Sequence, residues 1–254
     1  MCQTKIGLLP LEIIMLIQID CTANLGDFSN ALPVISGISK YINDPIDLII
    51  RGEMRKFVGI KELLLYQPCI KSVEFDDEVF FNGAMNLSSW TRMDQEDKNR
   101  PIETCRYENW VNDNYRMMFE VDDDFELLIR QDEPVEDIPN KHIIGDRWNH
   151  PTIDTRRKTQ VVKDGVNPDS EKVFYLDYNE SLMHNLSIIK NNPNPFITTF
   201  TGIGILADLM NKETIVCWDE DMRMWDGHPV EYDFIRHYYG NRKSKLVYVK
   251  DLKL

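Results

Sequence analysis

The stretch Leu25–Ile38, LGDFSNALPVISGI, follows an apolar run, MLIQID, and begins a helix-like pattern of apolar residues. A second stretch, Phe196–Met210 (FITTFTGIGILADLM), also joins a strand-like run to a helix-like run through glycines. A strand that enters a helix through such a turn brings backbone N–H groups and the positive end of the helix dipole to one point, which suits phosphate binding. Two such turns in one chain predict two nucleotide-binding, Rossmann-like halves that face a cleft.

Strand-like and helix-like segments alternate around the first turn. The strand-like runs are Met15–Asp20, Ile46–Gly52 and Ile70–Asp77, and helical spacing covers residues 30–42 and 55–68 between them. A βαβαβ order predicts a parallel sheet covered by helices.

The same alternation returns in the second half of the chain. Strands are predicted at Lys141–Trp148, Lys172–Tyr178, residues 195–200 and Glu213–Asp219, with helices at about 181–190 and 202–212. Residues 78–135 lack the alternation, which predicts an irregular, acceptor-facing portion and a linker.

These patterns predict an α/β protein with two Rossmann-like halves whose parallel sheets face a cleft. The expected organisation is an extension at residues 1–14, an N-terminal domain at 15–135 and a C-terminal domain at 136–254. A final helix, Val230–Gly240, is expected to cross back towards the first domain.

Composition narrows the class of protein. The 254 residues are 43% hydrophobic, enough for a sizeable core, and the net charge of −13 disfavours a protein that holds bulk nucleic acid by counterion release. Two short basic runs, Asp154–Thr159 and Gly240–Leu246, are candidates for a local basic strip, and plain solvated surface is the favoured interpretation.

The cysteine content and the apolar segments bear on the cellular compartment in which the protein is expected. Five scattered cysteines without a CxxC pair argue against a disulfide framework and against a zinc site, so a reducing cytoplasm is expected. Pro10 and Glu12 interrupt the apolar start, which argues against a signal peptide. No run approaches the ~18–20 apolar residues of a membrane span, so no transmembrane segment is predicted.

The first turn carries a candidate general base. Gly26 and Asp27 stand just after the first strand, in the predicted loop that opens the helix, where open α/β sheets place ligand-contacting groups. The Asp27 carboxylate can accept a proton from a hydroxyl within hydrogen-bond reach, or it can simply cap the helix. Asn30 is the candidate N-cap residue, and Pro33 is expected in the first turn, where its missing N–H has little cost.

The second turn carries a candidate phosphate site. Thr199, Thr201, Gly202 and Gly204 combine hydroxyls and glycines at a helix start, which suits a diphosphate. The alternative is that the glycines allow close packing.

Further polar and aromatic residues follow the C-terminal strands. Arg147 offers a fork for phosphate oxygens or for one of the many acids, and Asp219 and Glu220 can contact sugar hydroxyls. Trp218 and Trp225 can stack on a ring or pack in the core. The five histidines lack metal-ligand spacing, so no metal site is predicted.

Three enzyme classes lack their sequence signatures here. The chain has no GxSxG, no GxxxxGK[ST] and no GxGxxG, which argues against a serine hydrolase, a P-loop NTPase and a dinucleotide oxidoreductase. Group transfer from a nucleotide-linked donor remains.

The chain resembles GT-B glycosyltransferases, especially the heptosyltransferase-like family. In that family a strand is followed by GD, a few residues, LP and a helix, and this pattern matches Gly26, Asp27, Leu32 and Pro33.

The resemblance continues in the second turn. The family has an Asp-(Ser/Thr)-Gly turn that opens a helix, matched here at Thr201 and Gly202. Phe200 and Ile205 stand where the family has Asp and His. Arg147 matches a basic residue that reaches the donor phosphates in the family.

This resemblance implies an inverting glycosyltransferase in which Asp27 deprotonates the acceptor hydroxyl. Gly26 and Asn30 would form the acceptor-side loop. No metal and no cofactor besides the nucleotide-sugar donor are implied. The predicted donor-binding residues are Arg147, Thr199, Thr201, Gly202, Gly204 and Asp219, of which Arg147, Thr201 and Gly202 match the family pattern.

The acceptor stays open at this point. A saccharide or glycolipid intermediate is the family default, and a phage-type enzyme that glycosylates a hydroxylated base in DNA is an alternative. A non-catalytic nucleotide-sugar-binding or scaffold protein is the third hypothesis, because of Phe200 and Ile205.

Overall fold

The computed structural model describes residues 16–20, 25–76, 85–88, 119–130, 138, 141–145, 171–177, 179–199, 201–218, 243–248 and 251–252. Within these ranges the side chains of residues 20, 27, 86 and 88 are not described. The predicted extension at 1–14 and the predicted crossover helix at 230–240 lie outside the described residues.

Four parallel strands form the first sheet. They are β1 (Leu16–Asp20), β2 (Ile46–Arg51), β3 (Ile70–Asp76) and β4 (Met85–Ser88), in the order β3-β2-β1-β4. The strand β4 lies inside residues 78–135, so the prediction of an irregular segment there is wrong for these four residues. Four residues with small and polar members give too weak a pattern to indicate a strand before its partner is known.

Five parallel strands form the second sheet. They are β5 (His142–Gly145), β6 (Val173–Tyr175), β7 (Phe196–Thr198), β8 (Thr214–Trp218) and β9 (Ser244–Tyr248), in the order β6-β5-β7-β8-β9. The predicted α/β architecture with two parallel sheets is therefore confirmed. The strand β9 overlaps the basic run that was predicted to be plain surface.

Four α-helices are described with the sheets. They are α1 (Leu25–Ile42), α2 (Ile60–Leu65), α3 (Leu182–Asn191) and α4 (Gly202–Leu209). The helix predicted over 55–68 is in fact a 3-10 turn, Gly52–Lys56, followed by α2. The interruption lies at Gly59, whose φ of 80° is a left-handed conformation that glycine adopts without strain.

Helix α1 begins five residues before the predicted cap. Asn30 lies inside the helix, where its Nδ2 donates to the Gly26 carbonyl at 3.2 Å, and Ser29 Oγ donates to the Leu25 carbonyl at 2.6 Å. Pro33 is likewise an interior residue and not a first-turn residue. The prediction placed the start too late because the burial of Leu25 and Phe28, which favours the earlier start, is a tertiary effect.

Each sheet reverses its strand order at one place. In the first sheet the chain builds outward from β1 to β3 and then returns to the other side of β1, and in the second sheet β5 has the same role between β6 and β7. Ligands of open α/β sheets bind outside the carboxyl ends of the strands at such a switch point. Helix α1 follows β1 and helix α4 follows β7, so both helices start at these points.

The segment 119–130, here named the connecting segment, joins helices of both halves. The Asp122 N–H donates to the Pro33 carbonyl of α1 at 3.1 Å, and the Leu127 N–H donates to the Leu209 carbonyl of α4 at 2.8 Å. The Gln67 amide, just after α2, both donates to and accepts from the Leu128 backbone at 2.9 Å. The segment buries five apolar side chains at alternating spacing: Phe119, Val121, Phe125, Leu127 and Ile129.

Asp122 anchors the connecting segment to α1. Its carboxylate accepts from Ser36 Oγ at 2.6 Å and forms an ion pair with Lys40 Nζ at 2.7 Å. Burial raises the pKa of the neighbouring Cys69 thiol to about 11, and the negative charge of Asp122 adds to this rise. Cys69 therefore stays protonated and unreactive at neutral pH.

The larger of two hydrophobic clusters among the described residues runs through both halves. It includes residues of β1, α1, the connecting segment, α3 and α4, and Gly37 of α1 allows the Glu120 carbonyl to lie against the helix backbone. The Leu182 N–H at the start of α3 donates to the Val58 carbonyl just before α2 at 2.7 Å. The described parts of the two halves are thus held together by packing as well as by the chain connection.

Replacing Asp122 with alanine is expected to lower the free energy of unfolding by ~1–3 kcal/mol, because Ser36 Oγ loses its buried acceptor. Urea denaturation measures the change. The matched control is Asp124→Ala, since Asp124 is exposed on the same segment. Equal effects of the two substitutions would show that Asp122 does not anchor the segment.

Candidate active site

The starts of α1 and α4 lie in direct contact. A Cβ atom placed on Gly202 would lie 2.7 Å from the Gly26 backbone nitrogen and 2.7 Å from Leu25 Cβ. Such distances are shorter than real Cβ contacts, so only glycine fits at position 202 with this backbone. The two glycine turns that the sequence singled out are therefore neighbours in space, and the switch points of the two sheets meet through them.

The start of α4 is capped by its own threonine. Thr201 has an extended backbone, with φ −136° and ψ 156°, and its Oγ1 accepts from the Gly204 N–H at 3.2 Å. Thr201 is 5% exposed, and Gly202 and Gly204 are buried. The alternative that a glycine serves close packing is correct for Gly202, which packs against α1.

A chain of hydroxyls lies beneath this cap. Thr198 Oγ1, at the end of β7, is 2.9 Å from Thr201 Oγ1 and 2.9 Å from the Gly145 carbonyl oxygen at the end of β5. Thr198 is fully buried and Thr199 is 2% exposed. These threonines occupy the carboxyl end of the second sheet, as the sequence predicted for Thr199 and Thr201, whereas Thr198 was not singled out.

The start of α1 lies opposite. Gly26 and Asn30, which were predicted to form an acceptor-side loop, are instead buried residues of the helix, because α1 begins at Leu25. Asp27 lies in the first turn of the same helix, and its side chain is not described. The described structure therefore brings Gly26 and Gly202 together and puts the Asp27 backbone one residue from that contact.

Several residues that the sequence predicted for the site are not covered by the structure. Arg147 and Asp219 lie outside the described residues, as do Phe200, Glu220 and Trp225. They stay predictions.

Ile205 stands where the resembled family has His. It is 3% exposed and belongs to the core, so this position offers no polar group to a ligand. Trp218 packs partly buried against the same core and makes an edge-on contact with Tyr248, with ring centroids 5.0 Å apart. This favours the packing role for Trp218 over stacking on a ligand.

Sequence reasoning missed two polar residues that organise this region. Thr198 is the one hydroxyl residue of the buried three-residue strand β7. A polar residue at the end of an apolar strand is the sequence signal that could have identified it as a site residue. Ser244 of β9 donates to the buried Asp208 of α4 at 2.5 Å and thereby ties the edge strand to that helix. The pairing of Ser244 with Asp208 joins residues 36 positions apart and has no local signal.

Among the residues that the structure describes, no three His, Cys, Asp or Glu side chains come together in a way that could hold a metal ion. None of the described helices is both long enough and apolar enough to cross a membrane.

Two solved structures share the arrangement of the two sheets. One is a glycosyl transferase of family 9 from Veillonella parvula, with a TM-score of 0.59 and 12% identity over 94% of this chain and 87% of that chain. The other is the E. coli heptosyltransferase WaaC with ADP, with a TM-score of 0.56 and 9% identity over 94% of this chain and 96% of that chain. The fold is that of the GT-B glycosyltransferases.

The predicted resemblance to heptosyltransferase-like proteins is thereby confirmed for the fold. No protein-family model matches the sequence, and no curated protein sequence matches it. At 9–12% identity the similarity lies in the architecture, and the chemistry must be argued from individual residues.

Replacing Gly202 with alanine is expected to destabilise the protein by ~1–3 kcal/mol, because the new methyl group meets the backbone of α1 and not a movable side chain. The free energy of unfolding measures this. The direction of the change in the free energy of unfolding decides the question. In an uncrowded helix, alanine would instead stabilise the protein by ~1 kcal/mol relative to glycine. A more stable variant would show that the two helix starts are not in contact in solution.

Proposed function

We propose that this protein is an inverting glycosyltransferase that moves a sugar from a nucleotide-linked donor to a hydroxyl acceptor. The observation that carries the proposal is the meeting of the two switch points through Gly26 and Gly202. A switch point is where an open α/β sheet binds ligands, and two of them at one place can hold a donor and an acceptor side by side.

The fold supports the same class of reaction. The two similar structures described above are glycosyltransferases, and one of them contains ADP. A nucleotide diphosphate or its sugar ester is therefore the donor chemistry to test first. The start of α4, with Thr201 as its cap, offers the positive end of a helix dipole to the phosphates.

Asp27 is the proposed general base. In the proposed reaction the acceptor oxygen forms a bond to the anomeric carbon while the bond from that carbon to the diphosphate oxygen breaks. The acceptor proton goes to the Asp27 carboxylate, and the nucleoside diphosphate leaves with the bonding electron pair. A single displacement of this kind inverts the configuration at the anomeric carbon.

The leaving diphosphate gains negative charge in the transition state. We assign its stabilisation to the Arg147 guanidinium and to the backbone N–H groups at the start of α4, with Thr199 and Gly204 as further residues on the phosphate side. These groups can carry the charge without a metal ion. Asp219 is assigned to the sugar hydroxyls of the donor. The acceptor is proposed to be a saccharide or a glycolipid intermediate, and the cytoplasm is the expected location.

A non-catalytic role is the second candidate. It is favoured by the burial of Ile205, by Phe200 in place of an acid and by the direct contact of Gly202 with α1, which together leave few polar groups at the α4 start. A protein of this kind would bind a nucleotide or nucleotide sugar without turning it over.

The first experiment is a thermal-shift screen with ADP, UDP, GDP, CMP and their sugar derivatives. A ligand at one hundred times its Kd stabilises the folded state by ~2.7 kcal/mol. For a chain of this length that corresponds to a rise in Tm of roughly 5–10 °C. No shift with any nucleotide at millimolar concentration would contradict both the enzyme and the non-catalytic binding protein.

The second experiment separates binding from catalysis. Asp27→Asn is expected to keep the thermal shift with the donor and to lower the rate of sugar transfer by ~10²–10⁴-fold, because the amide cannot accept the proton. Asp44→Asn is the matched control, since Asp44 is an exposed residue just after the same helix. Unchanged transfer in the Asp27 variant would remove this residue from the role of base.

The acceptor is then sought with saccharides, glycolipids and DNA that contains a hydroxylated base. Donor binding without transfer to any acceptor, and without slow hydrolysis of the donor, would favour the non-catalytic protein. Transfer that continues at the same rate in the presence of a chelator is the result expected for metal-independent chemistry.

A further inference from the structure

The Thr198 hydroxyl occupies a place that the proposed mechanism has not used. Thr198 ends β7, is fully buried, and pairs across the sheet with Gly145, which ends β5. These are the two strands that flank the switch point of the second sheet. The hydroxyl thus lies directly beneath the place where the donor is proposed to bind.

The donors and acceptors around Thr198 fix the direction of the hydrogen bonds. Thr201 Oγ1 accepts from the Gly204 N–H, and Thr198 Oγ1 lies 2.9 Å from Thr201 Oγ1, 2.9 Å from the Gly145 carbonyl oxygen and 3.2 Å from the Thr199 carbonyl oxygen. A hydroxyl has one proton to donate. Since carbonyls can only accept, the contacts are satisfied together when Thr201 donates to Thr198 and Thr198 donates to the nearer Gly145 carbonyl, with the Thr199 carbonyl as a longer second acceptor.

The resulting chain connects two pieces of backbone that are distant in sequence. At one end is the Gly204 N–H in the first turn of α4, and at the other is the carbonyl of Gly145, two residues before Arg147. Gly145 is also held from the side, because the Phe196 ring lies against the face where a Cβ would stand. One buried hydroxyl therefore links the end of β5 to the start of α4.

We propose that Thr198 is a positioning residue for the donor phosphates. It fixes the carboxyl end of β5 relative to the α4 start that carries Thr201 and Gly202, so that the strand end and the helix start face the same diphosphate. This inference rests on the proposed glycosyl transfer. It needs no contact between Thr198 and the donor, since a buried hydrogen bond that locks two binding elements removes the cost of ordering them when the ligand arrives.

Thr198→Val tests the proposal because valine keeps the shape and removes the hydroxyl. The expected result is a KM for the nucleotide-sugar donor raised about tenfold or more, with a smaller change in kcat, because the loss lies in donor positioning. Thr198→Ser restores the hydroxyl and is expected to return the donor KM to within about threefold of the wild-type value.

Thr214→Val is the matched control. Thr214 is also a fully buried threonine of the second sheet, and its hydroxyl donates to the Lys212 carbonyl at 3.0 Å, but it lies at the amino end of β8. Its loss is expected to lower stability without raising the donor KM. An equal rise in KM for both valine variants would show a general loss of stability and would overturn the positioning role.

Hydrogen exchange gives a readout that does not depend on activity. The Gly204 amide is expected to exchange faster in Thr198→Val than in the wild type or in Thr214→Val, because the Thr201 cap loses its support. An unchanged exchange rate together with an unchanged donor KM would overturn the inference while leaving the proposed function intact. Failure of the wild-type protein to bind or turn over any nucleotide sugar would contradict both the positioning role of Thr198 and the proposed function.

Discussion

The burial of helix α1 dictates how the other described elements pack. From Leu25 to Ile38 each described side chain of the helix is buried, including Ser29, Asn30 and Ser36. A helix whose side chains are buried on every face must be covered on every face. The first sheet contributes to that cover, the connecting segment crosses the middle of the helix at Gly37, and α4 closes its start at Gly202.

This cover has consequences for the polar groups of α1. Ser29 and Asn30 donate to carbonyls of the first turn, and Ser36 donates to Asp122, so their side chains are satisfied within the protein. A buried polar group without a partner costs free energy, and the partners found here come from the first turn of α1 and from the connecting segment. The same helix that fills the core therefore also fixes the connecting segment and places the Asp27 backbone next to the contact between the halves.

The fold was largely accessible from the sequence, and the site only in part. Short apolar runs that end in glycine turns predicted both parallel sheets and the helices that follow β1 and β7. Helix boundaries were less accessible, because Asn30 has the local character of a cap and only the packing of Leu25 and Phe28 extends the helix beyond it. The alternating apolar residues of the connecting segment were hidden by its acidic run, since the charged residues between them dominate the composition.

The two glycine turns, the threonines that follow β7 and the order of strands and helices could all be recognised in the sequence, since they depend on local periodicity and on the small size of glycine. The role of the glycines became clear only from the packing of the folded chain. Gly202 is required because the backbone of α1 lies against it, and Thr198 matters because Gly145, 53 residues away, accepts its hydroxyl proton. Contacts of this kind follow from how the sheets and helices pack, and a linear pattern has no means to record which distant backbone atom lies opposite a given side chain.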